Sequence, residues 1–207
     1  MRPTPAIRVE SVVAKLRSAV ETELNKTGPQ WTACVLGALA SLASTDDCVD
    51  PDPETSWKRR GRTPNEYVLD LTISSWPKYD KPAPYEYPTY FTESASRPLR
   101  MLLVAESEWG DARDRKENGK AILEDFAKIL SARAPVKVMV FSHFAKPGDT
   151  PGVTSSFDEL TKHMVGLIRA AGDEAADYVL FGVAWDEREY KCVTVRSGIA
   201  ADLEQGP

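Results

Sequence analysis

Two glutamates, Glu106 and Glu108, stand two residues apart near the end of the apolar run LRMLLVAESEW (residues 99–109), and Asp70 interrupts the alternating segment EYVLDLTIS (residues 66–74). Alternate side chains of a strand share a face, so both glutamates project the same way, with Cα atoms roughly 6.5 Å apart. A carboxylate inside a sheet is costly unless it is paired or holds a cation. If the two strands are neighbours, Asp70, Glu106 and Glu108 converge on one point. Three hard oxygen ligands with open coordination positions suit Mg2+ or Mn2+. The plainer arrangement of the same residues is a solvated strand end paired with arginine or lysine.

The elements that must position these acids are legible in the hydrophobic periodicity. Val9, Val12, Val13, Leu16, Val20 and Leu24 form one stripe, which predicts an amphipathic helix over 6–26, ended by Gly28-Pro29. Residues 30–43 are apolar nearly all round and predict a buried helix. Residues 45–64, rich in Asp, Pro and Arg, read as a loop. Residues 66–74 read as a strand in which Leu69, Leu71 and Ile73 point one way and Asp70, Thr72 and Ser74 the other. Residues 75–97 hold several prolines with Tyr79, Tyr85, Tyr87 and Tyr90, and predict a long loop or two short edge strands.

The run at 99–109 is apolar on both faces at its start, as a central strand requires. Gly110 to Asn118 is polar and loop-like. Ile122, Phe126, Ile129 and Leu130 mark a helix over 120–133, stopped by Pro135. Residues 136–141 predict a strand, and Ser156-Phe157-Asp158-Glu159 a capping box that opens a helix through Ala171, closed by Gly172. Residues 177–185 and 190–196 predict a β-hairpin. The expected fold is α/β: a central mixed sheet flanked by helices in a single domain, with a helical N-terminal part (1–45), a core (66–142) and a helix plus C-terminal hairpin (156–196).

The segments EYVLDLTIS, LLVAESEWG, ILEDFAKIL and VKVMVF, in that order, resemble the core of the PD-(D/E)xK, or restriction-endonuclease-like, nuclease superfamily. The resemblance covers residues 66–142. It implies a restriction-endonuclease-like core in which Asp70 is the motif aspartate, Glu106 the first acid of the pair, and Glu108 stands where lysine is usual. It further implies phosphodiester hydrolysis with Mg2+ or Mn2+ held by Asp70, Glu106 and Glu108. The motif lysine is missing, and Lys128 and Lys120 on the following helix are the candidates to replace it. The competing reading of Lys128 is an ion pair with Glu124, four residues earlier. A further carboxylate from the first helix would be Glu23, which also reads as solvated helix surface.

The remaining signals are weaker. Lys58, Arg59, Arg60 and Arg62, behind Trp57, form the densest basic stretch and are the candidate nucleic-acid contact. Arg113, Arg115 and Lys116 follow the acid pair, but Asp111, Asp114 and Glu117 dilute them. The tyrosines at 79–90 could stack bases or cover a sheet edge. His143 and His163 lack sequence partners. No phosphate-loop or Gly-x-Ser-x-Gly motif is present. Cys34, Cys48 and Cys192 are too scattered for a disulfide framework or a Cys-x-x-Cys zinc site, and two histidines exclude a His-rich metal cluster.

With 26 basic and 31 acidic residues the formal charge is −5, which argues against a surface that grips nucleic acid everywhere but leaves room for a local basic patch. No apolar stretch follows Met1-Arg2-Pro3-Thr4-Pro5, and the longest near-apolar run, 33–43, is too short to span a bilayer. A reducing cytoplasm is the expected location. The expected function is that of a Mg2+-dependent, nuclease-like phosphodiester hydrolase acting on nucleic acid. The alternative is a noncatalytic binding or assembly module with the same fold, as a homodimer or with a protein partner.

Overall fold

Three largely apolar strands lie at the centre of one sheet, with helices packed on both of its faces. The structure is a computed structural model and describes residues 7–22, 28–44, 53–57, 69–75, 100–109, 115–143, 156–173, 175–184, 190–196 and 199–206. In chain order the elements are α1 (Val9–Thr22), α2 (Gly28–Ala40) with a 3-10 turn (Ser41–Ser44), β1 (Pro53–Trp57), β2 (Leu71–Ser75), β3 (Arg100–Glu108), α3 (Arg115–Ser131), β4 (Val136–His143), α4 (Phe157–Ala171), β5 (Asp177–Ala184), β6 (Tyr190–Arg196) and β7 (Ile199–Gly206). They make an α/β fold.

The seven strands lie side by side in sequence order. β1, β2 and β3 form an antiparallel meander; β3, β4 and β5 run parallel; β5, β6 and β7 are again antiparallel. Parallel neighbours need a crossover, and α3 and α4 supply the two. Two successive crossovers of one hand fall on one face, and α3 and α4 do share a core: Ile122, Phe126 and Ile129 of α3 with Phe157, Leu160, Met164 and Ile168 of α4, over Val104, Met139, Phe141, Tyr178 and Leu180. The opposite core joins Val12, Leu16 and Val20 of α1 and Val35, Leu36 and Leu39 of α2 to Leu71, Ile73, Leu103, Ala105, Val138 and Phe181. β3 to β5 are thus covered on both sides, which is why their sequences are nearly continuously apolar.

Several expected details change. β2 begins at Leu71, so Asp70 lies in a bend just before the strand and not in its middle. The physical reason is in the ladder. Antiparallel pairing starts at Leu71↔Ala105, and the next free β3 amide, that of Ser107, donates to the Asp70 carboxylate at 3.0 Å in place of a strand carbonyl. The bend also separates Leu69, which packs toward the α3/α4 core, from Leu71 and Ile73 in the other. α3 starts at Arg115, inside the stretch expected to be loop, because a first helical turn needs no apolar face.

Two edge strands, β1 and β7, were not expected: PETSW and IAADLEQG lack apolar alternation, and Pro53 is tolerated because it is the first residue of an edge strand. Ser156 caps α4 as expected, its Oγ accepting the Glu159 amide at 3.2 Å. Gly172 ends α4 at φ 64°, in the left-handed region that glycine enters freely. Among the described residues no helix is long and apolar enough to cross a membrane.

Candidate active site

The register of β3 places consecutive residues on opposite faces. Glu106 follows Val104 onto the α3/α4 side, opposite Met139 of β4. Ser107 follows Leu103 and Ala105 onto the α1/α2 side, where its Oγ lies 3.3 Å from Thr32 Oγ1 of α2. Asp70, at the mouth of the neighbouring strand, meets both. Its Oδ2 accepts the Ser107 amide at 3.0 Å and the Ser107 hydroxyl at 3.3 Å.

Glu106 is 1% exposed, and its Oε1 has no hydrogen-bond partner among the described residues. Burial, then the negative charge of Asp70, pushes its carboxyl up to about 9. The Lys128 ammonium opposes this shift; Asp125 and a hydrogen bond with Asp70 add to it. At neutral pH Glu106 therefore keeps its proton.

Across from Glu106, α3 presents Lys128 and Asp125, with Nζ 2.5 Å from Asp125 Oδ1. Burial pulls the Lys128 ammonium down, but the hydrogen bond to Asp125 and the charges of Glu106, Asp125 and Asp70 raise it on balance. It stays charged and acts on both acids. The ion pair expected between Lys128 and Glu124 does not form. Glu124 instead pairs at 3.8 Å with Lys120, both well exposed, because Glu124 lies on the solvent face while Asp125 lies on the stripe of Ile122 and Ile129.

The structure thus brings together Asp70, Glu106 and Lys128. Glu108 is half-buried two residues further along β3, and the charges that act most on Glu106 are those of Asp70, Lys128 and Asp125. Among the described residues no three or more His, Cys, Asp or Glu are grouped to hold a metal ion. Lys120 sits on the solvent face of α3, and His163 is exposed on α4. Lys58, Arg59, Arg60 and Arg62 lie outside the described residues, as do Glu23, Arg113 and Tyr79, Tyr85, Tyr87 and Tyr90. Nothing is described of the side chains of Arg115, Lys116 or His143.

Asp125, Ser107 and Thr32 escaped the sequence reading. Asp125 had a signal, since it falls three after Ile122 and four before Ile129, an acid within an apolar stripe. Ser107 and Thr32 had none, because their partner is set by the bend at Asp70.

The end of β3 is fastened to its surroundings. The Trp109 carbonyl accepts the Ser142 hydroxyl at 2.5 Å, and the Trp109 ring stacks on Trp31 of α2 with centroids 5.5 Å apart. The site therefore stands on β3 and the bend before β2 and is braced from one helix on each face.

No protein-family model, no curated protein and no solved structure matches this chain.

Proposed function

We propose that this chain is a Mg2+- or Mn2+-dependent phosphodiester hydrolase acting on nucleic acid, with a PD-(D/E)xK-like arrangement in which the lysine comes from α3. The observation that carries this reading is Glu106: a fully buried carboxyl with an orphaned oxygen, next to a second carboxyl and facing a lysine. Such a group opposes folding, and strongly perturbed acids of this kind cluster at functional sites. The element order supports the reading too: a three-strand meander, a crossover helix and a parallel strand, with Asp70 before the second strand of the meander and Glu106 on the third.

Asp70 and Glu106 fit a hard cation as donors. Mg2+ commonly takes one or two carboxylates and completes its shell with water and phosphate oxygens, so two protein ligands suffice. When bound, it would polarise the phosphate and lower the pKa of an attacking water. The chain's own residues supply the rest. Asp70, held through Oδ2 by Ser107, would be one ligand. Glu106 ligates once it gives up its proton. Lys128, held in place by Asp125, presents a positive charge to a phosphate oxygen or orients water near it. The basic stretch at Lys58, Arg59, Arg60 and Arg62 would supply phosphate contacts.

The test is cleavage of single- and double-stranded DNA and RNA with Mg2+ or Mn2+ and with chelator. Metal-dependent cleavage is expected, and Glu106→Ala should lower it by more than the roughly 10–100-fold that loss of an outer-shell partner costs. Unchanged cleavage by Glu106→Ala overturns the assignment. Glu108 in the usual lysine position favours the alternative, a noncatalytic binding module, and that reading predicts nucleic-acid or protein binding without cleavage by the native chain.

A further inference from the structure

Asp70 is joined to α2, on the far side of the sheet from Glu106 and Lys128, by a short line of hydroxyls. Its Oδ2 takes two donors from one residue, the amide of Ser107 at 3.0 Å and its Oγ at 3.3 Å. Ser107 Oγ is in turn 3.3 Å from Thr32 Oγ1. The proton count orders this chain. A hydroxyl has one proton; if Ser107 gives its proton to Asp70, Thr32 must donate to Ser107. Thr32 to Ser107 to Asp70 is then a directed relay whose last acceptor is a carboxylate oxygen. Hydrogen bonds in a weakly polar interior polarise one another in this way, and Ser107 is only 7% exposed. The stacked Trp31 and Trp109, each adjacent in sequence or nearly so to Thr32 and Ser107, hold the first turns of α2 against the end of β3.

We propose that Ser107 and Thr32 are positioning residues that fix the Asp70 carboxylate for a divalent cation, an inference that rests on the metal-site reading above. Two donors on Oδ2 fix the rotation of the carboxylate that a cation would share with Glu106. A hydroxyl-bearing strand residue that merely satisfied itself against a helix would leave cation affinity untouched.

The experiment is a Mn2+ titration of the full chain, followed by electron paramagnetic resonance, at a temperature where circular dichroism shows every variant folded. Ser107→Ala is expected to weaken Mn2+ binding about tenfold, the loss of one hydrogen bond to a charged group. Thr32→Val should weaken it about two- to tenfold, and Thr32→Ser, which keeps the hydroxyl, should stay within about twofold of native. That pattern supports the relay. Native-like affinity in Thr32→Val, or equal losses in Thr32→Val and Thr32→Ser, overturns the positioning role and leaves the metal site standing. A native chain that does not bind Mn2+ overturns both, the metal reading first.

Discussion

Glu106 is the residue on which the proposed chemistry and the stability of this molecule pull in opposite directions. Its carboxyl is held protonated up to about 9 by burial and by the neighbouring Asp70 charge, against an ordinary value of 4.5. Between those two pH values the folded chain binds a proton that the unfolded chain does not, so unfolding free energy falls as pH rises. The slope approaches about 1.4 kcal/mol per pH unit for this one group. Below the window both states are protonated and the contribution is constant. In chelator, the melting temperature of the native chain should therefore decline from about pH 5 to pH 9. Glu106→Gln keeps the shape of the protonated acid and cannot ionise, so its decline should be much shallower and its melting temperature at pH 8.5 higher than native. Equal slopes for the two proteins would show that Glu106 is already ionised. The position was legible in the sequence as an acid inside an apolar strand. Its proton affinity was not, because that depends on Asp70 and α3 arriving from elsewhere in the chain.

Among the elements, a second buried charge group fastens the crossover helices and does not belong to the site. Lys137, 2% exposed at the start of β4, donates from Nζ to the Leu130 carbonyl in the last turn of α3 at 3.2 Å and to Asp173 Oδ2 behind α4 at 2.5 Å. Tyr178 of β5 donates to the same Asp173 oxygen at 2.6 Å. Burial raises the Asp173 carboxyl, but the Lys137 and Tyr178 hydrogen bonds and the Lys137 charge bring it below the ordinary 3.8. Its stabilisation is present above about pH 4 and lost as pH falls further. Removing one partner of a buried pair strands the other. Asp173→Ala is expected to cost about 3 kcal/mol in urea unfolding, and the double change Lys137→Met with Asp173→Leu should recover most of it; a single-mutant cost under about 1 kcal/mol would show the pair to be solvated. At the start of α4, Ser156→Ala removes the cap on the Glu159 amide and should cost about 1 kcal/mol. These elements differ in how far they could be read in advance. α1, α4, β3 and the β5–β6 hairpin carry periodicity or caps of their own. β1 and β7 exist only because β2 and β6 offer them an edge, and nothing in PETSW or IAADLEQG announces that.

For the molecule as a whole, the order of strands decides what can meet. The meander brings the Asp70 bend beside β3, and the crossover through α3 brings Lys128 and Asp125 over Glu106. Two acids and a lysine separated by up to 58 positions in the chain thereby share one end of the sheet. Of the three acids expected to converge, Asp70 and Glu106 act on one another with Lys128 beside them, and Asp70 does so from a bend that Ser107 fastens and not from within its strand. The net charge of −5 means that the proposed nucleic-acid substrate would be held at a local site and not over the whole surface. The measurement that bears most directly on the proposed metal-dependent hydrolysis is single-turnover cleavage by native protein and Glu106→Gln side by side at pH 8.5, with Mg2+ or Mn2+ and with chelator. The expected result is metal-dependent cleavage by the native chain and none by Glu106→Gln, although that variant is the more stable of the two. Cleavage by Glu106→Gln at the native rate, or by the native chain at the same rate in chelator, would contradict it.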